Sequence, residues 1–259
     1  MITVGVDVGS ITAKAAVIND DGIVATKVIL TGYNSKNAGK QVFETVLANA
    51  GIESSQVDRI IATGYGRNSV SFADKAITEI TCHAAGAHYL NPDIRSIIDI
   101  GGQDSKAIVI NENGKVIDFA MNDKCAAGTG RFLEVMARAL EVNLDEFGNM
   151  SLKADNAASI SSLCTVFAES EVVSLISKGE NRQNIIAGIH ESIASRVVAM
   201  GNRIGLRDPV MMTGGVAKNI GVVRALEKKI NTSISVSENA QITGAIGAGL
   251  IARDRVNKN

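Results

Sequence analysis

The chain has 259 residues, enough for one large domain or two medium ones with a full apolar core, so a disordered chain is excluded. Lysine and arginine total 26 against 27 aspartates and glutamates, and aromatic residues make up 3%; with no field to concentrate polyanions and few rings to stack bases on, no nucleic acid is expected as partner. Three cysteines, an odd number without a close CxxC pair, exclude a disulfide framework and leave thiols or metal ligands.

Met1-Ile2-Thr3-Val4-Gly5-Val6-Asp7 lacks the basic start and small-residue cleavage site of a secretory signal. No later run offers about 18 uninterrupted apolar residues for a membrane span. A cytoplasmic protein without membrane contact is therefore expected. Residues 2 to 9 read as an opening strand, Gly9-Ser10 bends it, residues 13 to 18 give a second strand, and Asp20-Asp21-Gly22 turns into a third. Ala38, Val42, Phe43, Val46, Leu47 and Ala50 keep helical spacing until Gly51 ends the helix. Val57 to Thr63 reads as a strand before Gly64-Tyr65-Gly66, and residues 75 to 90 as a helix that buries Cys82 and His83 with no chemical role. Met121 to Leu133 holds a glycine-rich turn just after Cys125, and Phe132, Val135, Met136, Ala139 and Leu140 carry the helix that follows. Ser161 to Glu171 repeats the arrangement: Cys164 precedes a helix carried by Val166, Phe167, Val172, Val173, Leu175 and Ile176. A thiol at the positive end of a helix is biased toward thiolate. Gln183 to Ile204 is a long helix in which His190 packs among isoleucines. Pro209 to Thr213 is a buried strand that stops at Gly214-Gly215-Val216-Ala217-Lys218-Asn219 and passes into a helix, a setting for close backbone approach to a flat or anionic ligand. Ala240 to Ala252, with Gly244, Gly247 and Gly249, closes the chain as a tightly packed helix.

Asp7 to Val28 can be laid without gaps on Asp99 to Ala120. The pairs Asp7/Asp99, Gly9/Gly101, Lys14/Lys106, Ala15/Ala107, Val17/Val109, Ile18/Ile110, Asn19/Asn111, Gly22/Gly114 and Val24/Val116 are identical. Such agreement indicates a duplicated strand-turn-strand unit. Each copy places a carboxylate at the end of a buried strand and then a tight turn of small residues whose N–H groups can approach an anion. Two such turns suit a phosphate chain, with Asp7 and Asp99 holding Mg²⁺ through water. Gly9, Ser10, Ile11, Thr12, Ala13 and Lys14 line the first turn; Gly101, Gly102, Gln103 and Asp104 line the second. Spacing alone leaves Cys125 and Cys164 open between structural thiols and metal ligands.

Asp7-Val8-Gly9-Ser10, Asp99-Ile100-Gly101-Gly102 and Thr213-Gly214-Gly215-Val216 stand in the order of the phosphate and adenosine signatures of the actin, hexokinase and heat-shock chaperone superfamily. Within it, the segments Asn122 to Phe132 and Cys164 to Glu171, with Thr63 to Asn68 and Gly188-Ile189-His190, closely resemble the activator component of 2-hydroxyacyl-CoA dehydratases, of the BadF/BadG/BcrA/BcrD ATPase family. The resemblance covers essentially the whole chain. It implies an α/β fold of two RNase H-like lobes with ATP or ADP between them. The expected lobes are residues 1–95 and 96–259, the second carrying the cysteines, with the C-terminal helix packing back on the first. Asp7, Gly9, Ser10, Ile11, Thr12, Ala13, Lys14, Asp99, Gly101, Gly102, Gln103, Asp104, Gly214, Gly215, Ala217, Lys218 and Gln241 are then the nucleotide contacts. Ile11 stands where a small or hydroxylated residue is expected, which puts Ser10 and Thr12 forward as side-chain phosphate contacts.

The resemblance further implies a homodimer with one bridging 4Fe-4S cluster, to which each chain supplies Cys125 and Cys164. A cubane wants four thiolates, one chain presents two, and a twofold axis would complete the set. A ferredoxin or flavodoxin would load the cluster. ATP hydrolysis would then drive the electron into a dehydratase or another double-cubane protein. Gln103 and Asp104 are the candidates to orient the attacking water. A small-molecule kinase on the same scaffold, resembling type III pantothenate kinase, is the alternative, and a non-catalytic ATP-dependent assembly module a third reading.

Overall fold

The computed structural model describes residues 1–161 and 164–256. In chain order the regular elements are β1 (Thr3–Val8), β2 (Thr12–Asn19), β3 (Gly22–Leu30), α1 (Ser35–Ala50), β4 (Arg59–Thr63), β5 (Lys75–Ala76), α2 (Glu79–Leu90), β6 (Ser96–Ile100), β7 (Ser105–Ile110) and β8 (Val116–Asn122). They continue with α3 (Gly130–Ala139), α4 (Leu144–Ser151), α5 (Thr165–Ser177), α6 (Arg182–Arg203), β9 (Val210–Thr213), α7 (Ile220–Ile230), β10 (Ile234–Val236) and α8 (Thr243–Val256). Two compact units result. The first comprises Met1–Ile94, Ile110–Ile117 and Ser237–Asn259, the second Arg95–Val109 and Asp118–Val236.

Each unit is built on a five-stranded sheet, ordered β3-β2-β1-β4-β5 in the first and β8-β7-β6-β9-β10 in the second. Strand for strand the two orders are the same. β1 pairs antiparallel with β2 and parallel with β4, and β6 pairs antiparallel with β7 and parallel with β9. The duplicated segment is thus the first hairpin of each sheet. Its tight turns are alike too: Asn19 Oδ1 accepts from the N–H groups of Asp21 and Gly22, and Asn111 Oδ1 from those of Asn113 and Lys115.

In the first unit β1 is covered on both faces. Val4, Val6 and Val8 pack in one core with Val42, Phe43, Val46 and Leu47 of α1, which explains the helical spacing of those apolar residues. On the opposite face a side chain is sterically barred at Gly5, where an added Cβ would lie 1.9 Å from Ala245 O of α8. Thr3 Oγ1 donates to Gly249 O at 2.9 Å, and Ala16, Ile18, Ala245 and Ile246 close that layer. Residues 75 to 90 are not one helix. Lys75 and Ala76 pair with Ile61 and Ala62 as a short edge strand, and α2 starts only at Glu79, after Thr78 accepts from the Thr81 N–H at 3.4 Å.

In the second unit β6 and β7 are buried along their whole length. α4, α6 and α7 pack on one another, and α3 packs on α5. Among the described residues no helix is long and apolar enough to cross a membrane.

Candidate functional site

Register places the same constellation in both units. In the first, Asp7 lies opposite Lys14 and beside Thr63. Lys14 Nζ donates to Asp7 Oδ2 at 3.1 Å, and the Gly9 N–H donates to Thr12 O at 3.0 Å to close the turn. In the second, Asp99 lies opposite Lys106 and beside Thr213. Lys106 Nζ donates to Asp99 Oδ2 at 3.1 Å, and the Gly101 N–H donates to Asp104 O at 2.9 Å.

The strands beside the aspartates extend the duplication further than sequence comparison reached. Both end in Thr-Gly, and both glycines take left-handed backbone, Gly64 at φ 84° and Gly214 at φ 87°. A Cβ on Gly64 would lie 2.3 Å from Asp7 Oδ1, and one on Gly214 would lie 2.3 Å from Ile100 O and 2.9 Å from Asp99 Oδ1. Only glycine allows a second chain to pass so close to the carboxylate. Thr63, Gly64 and Thr213 thus belong to the site, although only a shared dipeptide at the end of an apolar strand signalled the equivalence.

The remaining expected contacts fall at the rims of these constellations. Ser10, Ile11 and Thr12 are half-buried in the first turn with Ala13 buried behind them, and in the second turn Gly102 and Asp104 are half-buried while Gln103 is exposed. Gly215, Ala217 and Lys218 form a short helical turn after Gly214, with Ala217 buried and Lys218 exposed. Gln241 lies half-buried in the turn Ala240–Ile242, which belongs to the first unit with Asp7.

The three thiols are unlike one another. Cys82 is wholly buried on α2, and burial pushes its pKa up to about 12, so it stays protonated. Cys125 and Cys164 are half-buried and free. Cys164 is the N-cap residue of α5; upstream, the Ser161 N–H donates to the Glu171 carboxylate, and Ser192 Oγ donates to Ser161 O at 3.3 Å. The flanking Ser162 and Leu163 lie outside the described residues. Cys125 sits in a turn ahead of α3, not at the helix end itself. Asn122 Nδ2 ties that turn by donating to Cys125 O at 2.8 Å and Ala127 O at 3.2 Å.

The first N–H groups of α3 are already used. Gly130 N–H donates to Gly101 O at 2.9 Å and Arg131 N–H to Gly102 O at 2.8 Å, so the Gly101 to Asp104 turn and the helix behind Cys125 are joined through backbone. These two donors point at carbonyls and not at Cys125, which lies five residues before the helix. Among the described residues no three histidine, cysteine, aspartate or glutamate side chains cluster as a metal site. Two half-exposed thiols, with Thr165 Oγ1 beside Cys164 buried and unpartnered among the described residues, fit half of a four-thiolate centre.

Over its full length the chain is 50% identical to the activator of lactoyl-CoA dehydratase from Anaerotignum propionicum, covering all of both proteins. The crystal structure of the Acidaminococcus fermentans (R)-2-hydroxyglutaryl-CoA dehydratase component A superposes with a TM-score of 0.96 at 46% identity, over 99% of each chain. That of the Clostridium difficile 2-hydroxyisocaproyl-CoA dehydratase activator with bound ADPNP gives 0.94 at 46% identity, over 100% of this chain and 96% of the other. The crystal structure of the ROK hexokinase from Thermus thermophilus shares the α/β fold at 14% identity and a TM-score of 0.53. With a sequence profile matched over residues 4–252 and relatives of this likeness, the chain belongs to the BadF/BadG/BcrA/BcrD ATPase family.

Proposed function

We propose that this protein is an ATP-hydrolysing activator of a 2-hydroxyacyl-CoA dehydratase or a related iron–sulfur protein, acting as a homodimer in which Cys125 and Cys164 of each chain hold one shared 4Fe-4S cluster. When bound, the cluster would supply one-electron transfer from a ferredoxin or flavodoxin to the acceptor protein. Each chain contributes two half-exposed thiols, while Cys82 is kept out of the chemistry by its burial. Val166, Phe167, Val173 and Ile176 leave an apolar face of α5 exposed beside Cys164, where a second copy of the chain would find contact.

The nucleotide phosphates are assigned to the Gly9 to Lys14 and Gly101 to Asp104 turns, which the Gly9 and Gly101 N–H groups close internally and whose tips carry Ser10 and Thr12 in the first and Gly102 in the second. Gly214 and Gly215, with Ala217, Lys218 and Gln241, take the adenosine end. Mg²⁺ is a hard cation that suits the carboxylate oxygens of Asp7 and Asp99, and because lysine already holds one oxygen of each, water-mediated contact fits best. Gln103, exposed, and Asp104, half-buried, both lie in the second turn, and in this reading they orient a water for attack on the terminal phosphate.

The observation that carries the reading is the pair of backbone hydrogen bonds from Gly130 and Arg131 to Gly101 and Gly102. A shift of the phosphate turn on hydrolysis is thereby felt at the start of the helix that follows Cys125, which is the coupling an activator needs. The test compares two variants at Gly130. Gly130→Pro replaces the N–H that meets Gly101 O at 2.9 Å with a ring carbon, so it removes the donor and parts the second turn from the helix start, while proline otherwise suits the first helical position and Thr129 already has the extended backbone that precedes proline. Gly130→Ala keeps the donor and controls for the added Cβ, which would lie 3.1 Å from Gly101 O. The expected result is that Gly130→Pro retains iron but gives at least several-fold less reduction of a purified dehydratase per ATP hydrolysed, while Gly130→Ala keeps the parent's ratio. Equal coupling in both variants would contradict this role.

A further inference from the structure

Between the aspartate and the lysine the two copies differ at Val8/Ile100, Ser10/Gly102, Ile11/Gln103, Thr12/Asp104 and Ala13/Ser105, and only the Thr12/Asp104 difference changes the charge. Where the first copy has Thr12, the second has Asp104, so the second lysine meets two carboxylates and the first meets one. Lys106 Nζ lies 3.1 Å from Asp99 Oδ2 and 2.9 Å from Asp104 Oδ2, whereas Lys14 Nζ is paired with Asp7 Oδ2 alone among the described ion pairs. Exposure follows the same division: the Lys106 side chain is 2% exposed and that of Lys14 is 14%. Asp99 is bound on its other side as well, since Thr213 Oγ1 donates to Asp99 Oδ1 at 2.8 Å. One continuous network, Thr213 to Asp99 to Lys106 to Asp104, therefore ties β9, β6, β7 and the second phosphate turn.

A buried lysine committed to two carboxylates has little left to offer a phosphate, and removing it would leave the buried Asp99 carboxylate and the half-buried Asp104 carboxylate without their shared countercharge. We propose that the duplicated lysines have diverged: Lys14 keeps the phosphate-facing role, and Lys106 is a positioning residue that fixes the Asp104 and Asp99 carboxylates and partly neutralises them. This rests on the reading of the Gly101 to Asp104 turn as a phosphate site. The division leaves the first constellation neutral and the second with one negative charge in excess, so a divalent cation is drawn to the second, and Lys106 sets how tightly.

The test uses the full chain with Mn²⁺ as the probe, its binding measured by electron paramagnetic resonance without nucleotide. Hydrolysis is followed separately. In Lys106→Met the Mn²⁺ affinity is expected to rise by about tenfold or more, because two carboxylates lose their countercharge. In the same variant kcat for ATP should fall by about tenfold or more, with KM changed by less than about threefold, as positioning is lost while phosphate binding stays. Lys106→Arg should restore part of the loss. A folded Lys106→Met with Mn²⁺ affinity and kcat within about twofold of the parent overturns the proposal. Should Lys106→Met fail to fold, Asp104→Asn decides: lowered Mn²⁺ affinity supports the assignment, and unchanged affinity overturns it. A parent chain that neither binds nor hydrolyses ATP would remove the phosphate reading itself, a failure separable from the Mn²⁺ result.

Discussion

His190 illustrates how much one buried side chain is asked to do. It sits on α6 against Phe147, ring centroids 5.5 Å apart in an edge-on arrangement, with Nε2 3.4 Å from Asn219 Nδ2. Asn219 Oδ1 in turn caps α7 by accepting from the N–H groups of Gly221 and Val222. Gly221 must be glycine here, since a Cβ would lie 2.4 Å from His190 Nδ1. Burial lowers the imidazole pKa from the ordinary 6.5 to about 3, so the folded chain carries it neutral. The unfolded chain takes up a proton below pH 6.5 and the folded chain does not, so this contribution is intact above pH 6.5 and is lost progressively as pH falls from there toward 3. Urea unfolding at a series of pH values should show it. The acid limb of His190→Gln is expected to be shallower than that of the parent by about one proton, or about 1.4 kcal/mol per pH unit. Identical slopes would place the acid sensitivity elsewhere.

At the scale of elements, the first unit depends on α8 lying almost against backbone. Gly5 of β1 faces Ala245 O and Gly249 N, and Gly247 faces Cys82 O of α2 at 1.8 Å from where a Cβ would stand. Gly51, by contrast, ends α1 in left-handed backbone at φ 67° with nothing within 4 Å of its absent Cβ. Two different reasons for glycine predict two different costs. Gly51→Ala strains only its own backbone and should cost about 1 kcal/mol. Gly5→Ala must move a helix, and should cost about 3 kcal/mol or more. Equal losses in denaturant unfolding would mean that α8 is not held as closely as the structure has it.

The elements were also where the sequence spoke most clearly. The hairpin repeat was legible because Asp, Gly, Lys and the Asn-x-x-Gly turn recur at the same offsets, and α1 because Val42, Phe43, Val46 and Leu47 keep helical spacing. The Thr63-Gly64 and Thr213-Gly214 equivalence was not, because two residues at the end of a parallel strand acquire meaning only when register sets them beside Asp7 and Asp99. The tie from Gly130 to Gly101 lies wholly in backbone and left no side-chain signature. A strong helical reading of residues 75 to 90 missed the two-residue edge strand, since short edge strands are specified by their neighbour more than by their own residues.

On the scale of the whole molecule, two duplicated units have been put to unequal uses. Both retain the aspartate, lysine and Thr-Gly corner, yet only the second carries the extra carboxylate and the helices that follow Cys125 and Cys164. One chain brings two accessible thiols and no larger cluster of metal-binding side chains among its described residues, so the proposed centre requires a second copy. Iron and acid-labile sulfide counted per chain on anaerobically purified protein, with Cys125→Ser and Cys164→Ser alongside, bear on this most directly. The account predicts about four irons and about four sulfides per two chains, and their loss from both variants. Iron retained in both variants, or about four irons on each separate chain, would contradict it.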